Sequence, residues 1–426
     1  MRSVAQRCAR TTLGAALLSA VLVTAACGSG DSSSGGDGAA ADTSAAAAAL
    51  GADNKATGEP IKLGVVSDGQ TEAFDTNHEI KAAEAVVAYA NDHLGGLAGH
   101  PIELVSCETK GTPAGAQDCG NQFISEGVLA VSGAVPGQID AVVNVLSPAG
   151  IPTGLQSGSS QAVLKSADTY VWSNPLSVFG TPAAYARENG LKKAAMLVID
   201  VPGAAGPAKQ LGPVFFKNAG SELNVVAIPP GTPDMTPQVQ SAENGNPDMY
   251  YLLGDPTFCA GAIKALKTLN VTVPIVALDR CVGADAAASI PGGYDGVTVA
   301  TGAITNADDK EFELFQAVID TYGEDLSAES VTISAYQGML GLIRAVNASG
   351  TTDLTQAGVS AAIKAMPETP YPLGGGATYQ CNGKAVPDIS PNICSTFGAI
   401  ADADSEGTLS NFKSVDAKGI YALSAG

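Results

Sequence analysis

Short apolar runs alternate with helix-like stretches along the chain from residue 61 onwards. The first helix-like stretch carries apolar or small residues at steps of three and four, the spacing of one helix face: Ile80, Ala83, Val87, Ala90 and Leu94. The pattern predicts strands at 61–66, 102–106, 128–132 and 152–155, and helices at 77–94, 113–126 and 138–149. Strands joined by right-handed helical crossovers form a parallel sheet with helices on both faces.

The same alternation recurs in the second half, after a border segment at 168–178. It predicts strands at 195–199, 224–228, 249–253, 274–278 and 296–301, and helices at 179–189, 204–219, 236–243, 258–269 and 284–290. Three more helices follow at 308–322, 328–348 and 354–366, before a Pro/Gly-rich tail with short strands, 371–426. The predicted fold class is α/β with two Rossmann-like halves, and the lone Trp172 in the border is expected to be a buried hinge residue.

The first 26 residues are typical of an export signal. Three arginines precede an apolar core at 13–26, which is too short to span a bilayer. Small residues, Ala25 and Ala26, stand just before Cys27, an order that resembles a bacterial lipoprotein signal in which the cysteine is lipidated. The alternative is a plain secretory signal followed by a chance cysteine. We therefore expect a lipid-anchored protein on the extracytoplasmic face of the cell membrane.

Residues 27–59 predict the lipidated Cys27 followed by a flexible linker. This segment is rich in Gly, Ser, Ala and Asp and has no hydrophobic periodicity. Its alanine run at 45–49 has helix propensity, but the sequence offers it no packing partner.

The acidic balance excludes some partners. The net charge is −20 over 426 residues, and no lysine or arginine cluster is present. Binding to nucleic acid or to anionic lipid through charge is therefore not expected. The only membrane contact expected is the lipid anchor, and the protein is expected to be a monomer.

Six cysteines remain beyond Cys8 and Cys27. An even number in an exported chain indicates disulfides, although six cysteines allow 15 connectivities. Pairing of neighbours is favoured, which gives Cys107–Cys119, Cys259–Cys281 and Cys381–Cys394. A metal site is the alternative, but the chain has no CxxC pair and only three histidines, so no metal or cofactor is expected.

Three stretches resemble the branched-chain amino acid-binding family of ABC transporter substrate-binding lipoproteins, which have the type I periplasmic-binding fold. Residues 61–109 share a strand, a loop, a long helix ending in Asn and a Gly-Gly turn. "NQFISEGVLAVSGAV" (121–135) is similar to the family's helix, Gly-Val turn and strand, and "SVTISAYQGMLGLIRAVNASG" (330–350) is similar to its late helix.

The resemblance implies two lobes joined by three hinge crossings, which close on a ligand like a clamshell. Lobe 1 would comprise 60–173 and 304–368, and lobe 2 would comprise 174–303 and 369–426. Signal (1–26) and linker (27–59) precede them. The interleaving of the lobes follows from the resemblance alone.

Candidate ligand contacts in lobe 1 follow the predicted strands, because ligands of open α/β sheets bind beyond the strands' carboxyl ends. Gly137 and Gln138 begin a helix, where free backbone N–H groups suit a carboxylate. The ordinary alternatives to a ligand contact are a helix start, a Ser-rich turn and a surface loop. The resemblance to the family implies two further kinds of contact: hydroxyl groups that hold the ligand, and an aromatic side chain that forms one wall of the site. The full set of candidate contacts in lobe 1 is Phe74, Asp75, Gly137, Gln138, Ser157, Ser159 and Ser160.

Lobe 2 offers Asp255 and Asp279, each directly after a predicted strand. A carboxylate there suits an ammonium group, and Asp279 lies close to the family's acidic position. An ungapped alignment puts Arg280 on that position instead, which would favour an anionic ligand, and the two alternatives stay open. A solvated turn is the ordinary interpretation of both aspartates. A disulfide between Cys259 and Cys281 would brace these two loops.

Two departures from the family weaken a leucine-type assignment. The family's serine in the lobe 1 helix-start loop is Pro136 here, and its lobe 2 tyrosine is Ala205. Both changes remove contacts that the amino acid binders make, so a roomier pocket is expected.

Enzyme motifs are missing from the sequence. It contains no G-x-S-x-G, P-loop or H-E-x-x-H, and its three histidines all lie within 78–100. The expected function is a solute-binding protein, not an enzyme, which delivers a small organic ligand such as an amino acid, an amide or an aromatic acid to an ABC permease. An extracytoplasmic ligand sensor of the same fold is the alternative, and a hydrolase is a third.

Overall fold

The computed structural model describes residues 46–71 and 75–423, so the predicted signal, Cys27 and Phe74 lie outside the described residues. A five-stranded parallel sheet forms the first half, in the order β2-β1-β3-β4-β5. Its strands are β1 (Ile61–Ser67), β2 (Ile102–Glu108), β3 (Val131–Gly133), β4 (Thr153–Leu155) and β5 (Thr169–Val171). The strand order reverses at β1, where β2 lies on one side and β3 on the other.

Helices cover both faces of this sheet, and we call the whole lobe 1. The helices are a short α1 whose described part is 46–50, then α2 (Asn77–His93), α3 (Pro113–Glu126), α4 (Ile139–Leu146), α5 (Gln161–Lys165), α11 (Lys310–Tyr322), α12 (Ser330–Ser349) and α13 (Gln356–Ala365). Helices α3 and α4 pack together on one face. On the other face α12 packs against α2, and α11 joins them. Because α11 to α13 come late in the chain, lobe 1 is built from two separate segments.

A seven-stranded mixed sheet forms lobe 2, in the order β14-β13-β10-β9-β8-β6-β7. Five of its strands are parallel: β6 (Lys193–Ile199), β7 (Glu222–Ile228), β8 (Met249–Leu253), β9 (Ile275–Leu278) and β10 (Val297–Thr301). The late strands β13 (Ala399–Ala403) and β14 (Leu409–Ser414) add antiparallel at one edge.

The helices of lobe 2 bury two apolar clusters on the two faces of its sheet. They are α6 (Ser177–Glu188), α7 (Pro202–Asn218), α8 (Thr236–Glu243), α9 (Pro256–Thr268) and α10 (Ala284–Ala287). A small hairpin of β11 (Thr369–Pro370) and β12 (Thr378–Tyr379) lies on the return path from lobe 1 to lobe 2. No helix among the described residues is long and apolar enough to cross a membrane.

The six cysteines of the two lobes are joined as neighbours. The disulfides are Cys107–Cys119, Cys259–Cys281 and Cys381–Cys394, the connectivity that the sequence favoured. The first ties β2 to α3, and the second ties α9 to the turn after β9. The third closes the segment between β12 and β13.

The predicted linker is too long, because its last part is docked on lobe 1. Leu50 is buried in the lobe 1 core. Backbone N–H groups of Asn54 and Ala56 donate to the carbonyls of Asp92 and Asn91 at 2.8 and 2.9 Å. The alanine run therefore has a packing partner, which the local composition did not reveal. Within the described chain, lobe 1 begins at residue 46 and not at 60.

Trp172 directly follows β5, where the chain leaves lobe 1, and it is fully buried as predicted. Its Nε1–H donates to the Gly338 carbonyl oxygen at 3.0 Å. The ring stacks on Tyr170, and a Cβ placed at Gly154 would lie 2.1 Å from its Cζ2 atom. Strand β5 lies at the beginning of the predicted border segment, and the sequence pattern did not predict this strand.

Candidate functional site

The carboxyl ends of the parallel strands in both sheets border the same three crossings. The chain passes to lobe 2 after β5, returns after β10, and passes to lobe 2 again between α13 and β13. The first two crossings leave directly from the carboxyl ends of β5 and β10. The loops that follow the strands of each sheet are therefore gathered around the hinge, where a cleft between parallel sheets binds ligands.

Gln337 joins these crossings. Its side chain is buried in α12, and its Nε2–H donates to the carbonyls of Gly302 and Pro372 at 3.2 and 3.0 Å. Its Oε1 accepts from Gln156 Nε2, directly after β4, at 3.2 Å. One amide thus holds the second crossing, the third crossing and the carboxyl end of sheet 1 in a fixed arrangement. The sequence signal was a lone glutamine within an apolar helix.

Asp68 follows β1 at the point where the strand order of sheet 1 reverses. Its side chain is buried, and Thr109 Oγ1 donates to its Oδ1 at 2.5 Å. The Gly137 N–H, at the start of α4, donates to its Oδ2 at 2.6 Å. The loops after β1, β2 and β3 therefore meet on one carboxylate. Asp68 was not singled out from the sequence.

The loop before α4 presents an apolar surface. Val135 is 43% exposed, whereas Pro136 beside it is buried. Gly137 is exposed but uses its N–H on Asp68, and Gln138 is half-buried with no side-chain cap on the helix. The predicted carboxylate-binding N–H of Gly137 is thus already bonded within the chain.

The serine loop after β4 contacts the same region. The Ser157 N–H donates to the Ala134 carbonyl at 3.3 Å. Ser160 caps α5 by accepting from the Val163 N–H, and its hydroxyl also bonds Asp140 in the first turn of α4. Ser159 is exposed. The structure therefore brings Ser157 and Ser160 together with the start of α4. Ser160 has a clear role as a helix cap.

Asp75 and Glu79 mark the path from β1 into α2. The Asp75 carboxylate is exposed and accepts from the Asn77 N–H at 3.0 Å. Glu79 is only 7% exposed, and its Oε2 has no hydrogen-bond partner. Burial raises the pKa of Glu79 to about 7; the Ser67 hydroxyl opposes this rise, and the Asp68 charge adds to it. Its sequence signal was an acid in the first turn of α2, on the face that carries Ala82, Ala83 and Val86.

In lobe 2 the loops after β8 and β9 are held together by the Cys259–Cys281 disulfide. Asp255 is exposed and caps α9, since its carboxylate accepts from the Phe258 N–H at 2.9 Å. This is the ordinary role of an aspartate before a helix. Because the side chain is exposed, its charge is still presented to solvent.

Asp279 and Arg280 form a short turn directly after β9. Asp279 is half-buried, and its Oδ1 accepts from the Arg280 N–H at 2.7 Å. Burial raises the pKa of Asp279, while the backbone and charge of Arg280, then Thr301 and Gly302, oppose the rise. Thr301 and Gly302 begin the second crossing, so Asp279 lies beside the hinge. Arg280 itself is exposed.

No metal centre accompanies these loops in the described chain: nowhere within 46–71 and 75–423 do three His, Cys, Asp or Glu side chains group as metal ligands.

A protein-family model described as periplasmic binding protein matches residues 60–390. The chain belongs to the periplasmic binding protein family, and its fold is the two-lobed fold of that family. No match is found among curated protein sequences.

Solved structures share this fold at low sequence identity. The branched-chain amino acid transporter substrate binding protein LivJ from Streptococcus pneumoniae, in complex with isoleucine, is 16% identical with a TM-score of 0.61, over 84% of this chain and 99% of its own. A fatty acid ABC transporter substrate-binding protein from Thermomonospora curvata is 17% identical with a TM-score of 0.63, over 87% and 96%. A solute binding protein from R. palustris, in complex with 4-hydroxybenzoate, is 19% identical with a TM-score of 0.61, over 84% and 99%.

Proposed function

We propose that this protein is the extracytoplasmic solute-binding component of an ABC importer. It captures a small organic molecule between its lobes and delivers it to a membrane permease. Family membership supports the proposal. The observation that carries it is the gathering of both sheets' carboxyl ends around three crossings, with Gln337 tying the crossings together.

The proposed contacts come from both lobes. Val135, Gln138, Ser157 and Ser159 would face the ligand from lobe 1, and the set from lobe 2 is Asp255, Asp279 and Arg280. Phe74 and Asp75 remain predicted contacts of the loop after β1. A ligand touching both lobes stabilises the closed form, because it binds that form better than the open one, and the closed form would dock on the permease.

Ligand binding should appear as thermal stabilisation in a screen of amino acids, amides, aromatic acids and fatty acids. A ligand at 100 times its Kd adds about 2.7 kcal/mol to the free energy of unfolding. Ser159→Arg should abolish the stabilisation by filling the cleft, whereas Ser410→Arg, on an exposed strand of lobe 2, should keep it. Binding of a hit without any uptake by cells that carry the permease would contradict the importer and favour a sensor.

We further propose that the mature chain begins at Cys27 and is held to the membrane by lipid on that residue. The three arginines, the apolar core and the small residues before Cys27 support this. Mass spectrometry of the N-terminal peptide should show a diacylglyceryl mass on Cys27, and Cys27→Ser should move the protein from the membrane fraction to the soluble one. An unmodified peptide beginning elsewhere would refute the anchor.

A further inference from the structure

The start of α4 already holds an anion that belongs to the chain itself. A helix N-terminus favours negative charge because its first N–H groups lack helical partners. Helix α4 begins at Ile139, and the Gly137 N–H, two residues before it, donates to Asp68 Oδ2 at 2.6 Å. The Ile139 and Ala141 N–H groups close local turns onto the carbonyls of Pro136 and Gln138.

Asp68 is held at this position from several sides. It is 4% exposed, and Thr109 donates to its second oxygen. It has no ion-pair partner among the residues that the structure describes. Its negative charge is therefore compensated by hydrogen bonds and by the positive end of α4, not by a cation.

A second buried acid lies close to Asp68. Glu79 is buried near Asp68, with one carboxyl oxygen that has no partner. A ligand carboxylate placed at the start of α4 would meet the charge of Asp68 in a partly desolvated setting, where like charges repel strongly. It would also find the Gly137 N–H already occupied. The exposed Val135 next to it offers apolar contact only.

We propose that Asp68 determines the class of ligand: it fills the anion position at the start of α4, so the ligand presents a hydrogen-bond donor there, such as an amide, hydroxyl or ammonium group, and not a carboxylate. This inference rests on the proposed function of the cleft. It differs from the expectation that Gly137 and Gln138 hold a ligand carboxylate.

Acetate rescue tests the occupied anion position without knowledge of the ligand. Asp68→Ala empties the position. Sodium acetate at 0.2 M, roughly tenfold above a weak Kd, should then raise the Tm of this variant by about 2–3 °C more than sodium chloride of equal ionic strength does. The wild type should show no such difference. Glu126→Ala, which removes an exposed surface carboxylate, is the matched control and should also show none. Absence of rescue, or an equal effect on the wild type, overturns the proposal.

Matched ligand pairs test the consequence for selectivity. Calorimetry measures the binding of two pairs, isoleucine with isoleucinamide and 4-hydroxybenzoate with 4-hydroxybenzamide, to the wild type and to Asp68→Asn. The asparagine variant keeps an acceptor oxygen, so it can be used even if the alanine variant fails to fold. Any pair that binds should favour the amide in the wild type, by about tenfold, and lose that preference in Asp68→Asn. A wild type that prefers the carboxylate overturns the proposal. If acetate rescue succeeds while no small molecule binds the wild type, the proposed function fails and the occupied anion position stands.

Discussion

Replacing Trp172 by alanine should lower the free energy of unfolding by about 3–5 kcal/mol, the range for loss of a large buried aromatic side chain. The ring is fully buried, stacks on Tyr170 at 6.2 Å between centroids, and meets Tyr379 edge-on at 5.8 Å. The substitution also leaves the Gly338 carbonyl without its donor. Trp172 joins β5 to the first crossing. Urea unfolding followed by circular dichroism should show the loss of stability.

Trp172→Phe is the matched control. It keeps an aromatic ring between the same neighbours but loses the Nε1–H bond and some volume, so a smaller loss of about 1–2 kcal/mol is expected. If phenylalanine destabilises as much as alanine, the hydrogen bond to Gly338 dominates and packing does not. If neither variant loses stability, the hinge does not depend on this residue.

Lowering the pH from 8 to 5 should stabilise the wild type relative to Glu79→Gln. The pKa of Glu79 is raised from its usual 4.5 to about 7, so the folded state binds this proton more tightly than the unfolded chain. The stabilisation is complete below pH 4.5 and is lost as the pH rises through 7. The difference between the two pKa values corresponds to about 3 kcal/mol.

The measurement is urea unfolding of both proteins at several pH values between 4.5 and 8.5. Glutamine keeps the size of the side chain and does not titrate, and every other titrating group is common to both proteins. The effects of the other groups, including the raised pKa of Asp279, therefore largely cancel in the difference. Parallel curves for the two proteins across this range would show that Glu79 is not held as a buried, unpaired acid.

Secondary structure was readable from the sequence where periodicity was long. Helix α3 occupies the predicted 113–126, where Thr112 accepts from the Gly115 N–H and Pro113 opens the first turn. Strand β3 runs from 131 to 133 and not from 128 to 132, because Val128 is buried without joining the ladder. Strand β5 was missed because it is defined by its pairing with β4 and by the bridge from Val171 to Ile393, far along the chain.

The ends of the strands were predictable from the sequence, but the contacts between the loops that follow them were not. Strand ends are visible in a sequence, so the loops holding Ser157, Asp255 and Asp279 were found. The bond between Asp68 and Gly137 joins residues far apart in the chain, and nothing local to either residue indicates it. The same holds for Gln156 and Gln337. These contacts depend on how the strands are ordered in the sheet.

The division of lobe 1 into two chain segments has a consequence for folding kinetics. Strand β1 buries Leu63 and Val65 in the same core as Tyr336 and Ile343 of α12, which begins only at Ser330. Only α2 can cover this apolar face of the first sheet until the whole chain of lobe 2 and then α12 have been made. Closing so long a loop is slow, and the waiting surface is prone to aggregation. Folding speed, more than final stability, is the quantity that this chain order limits.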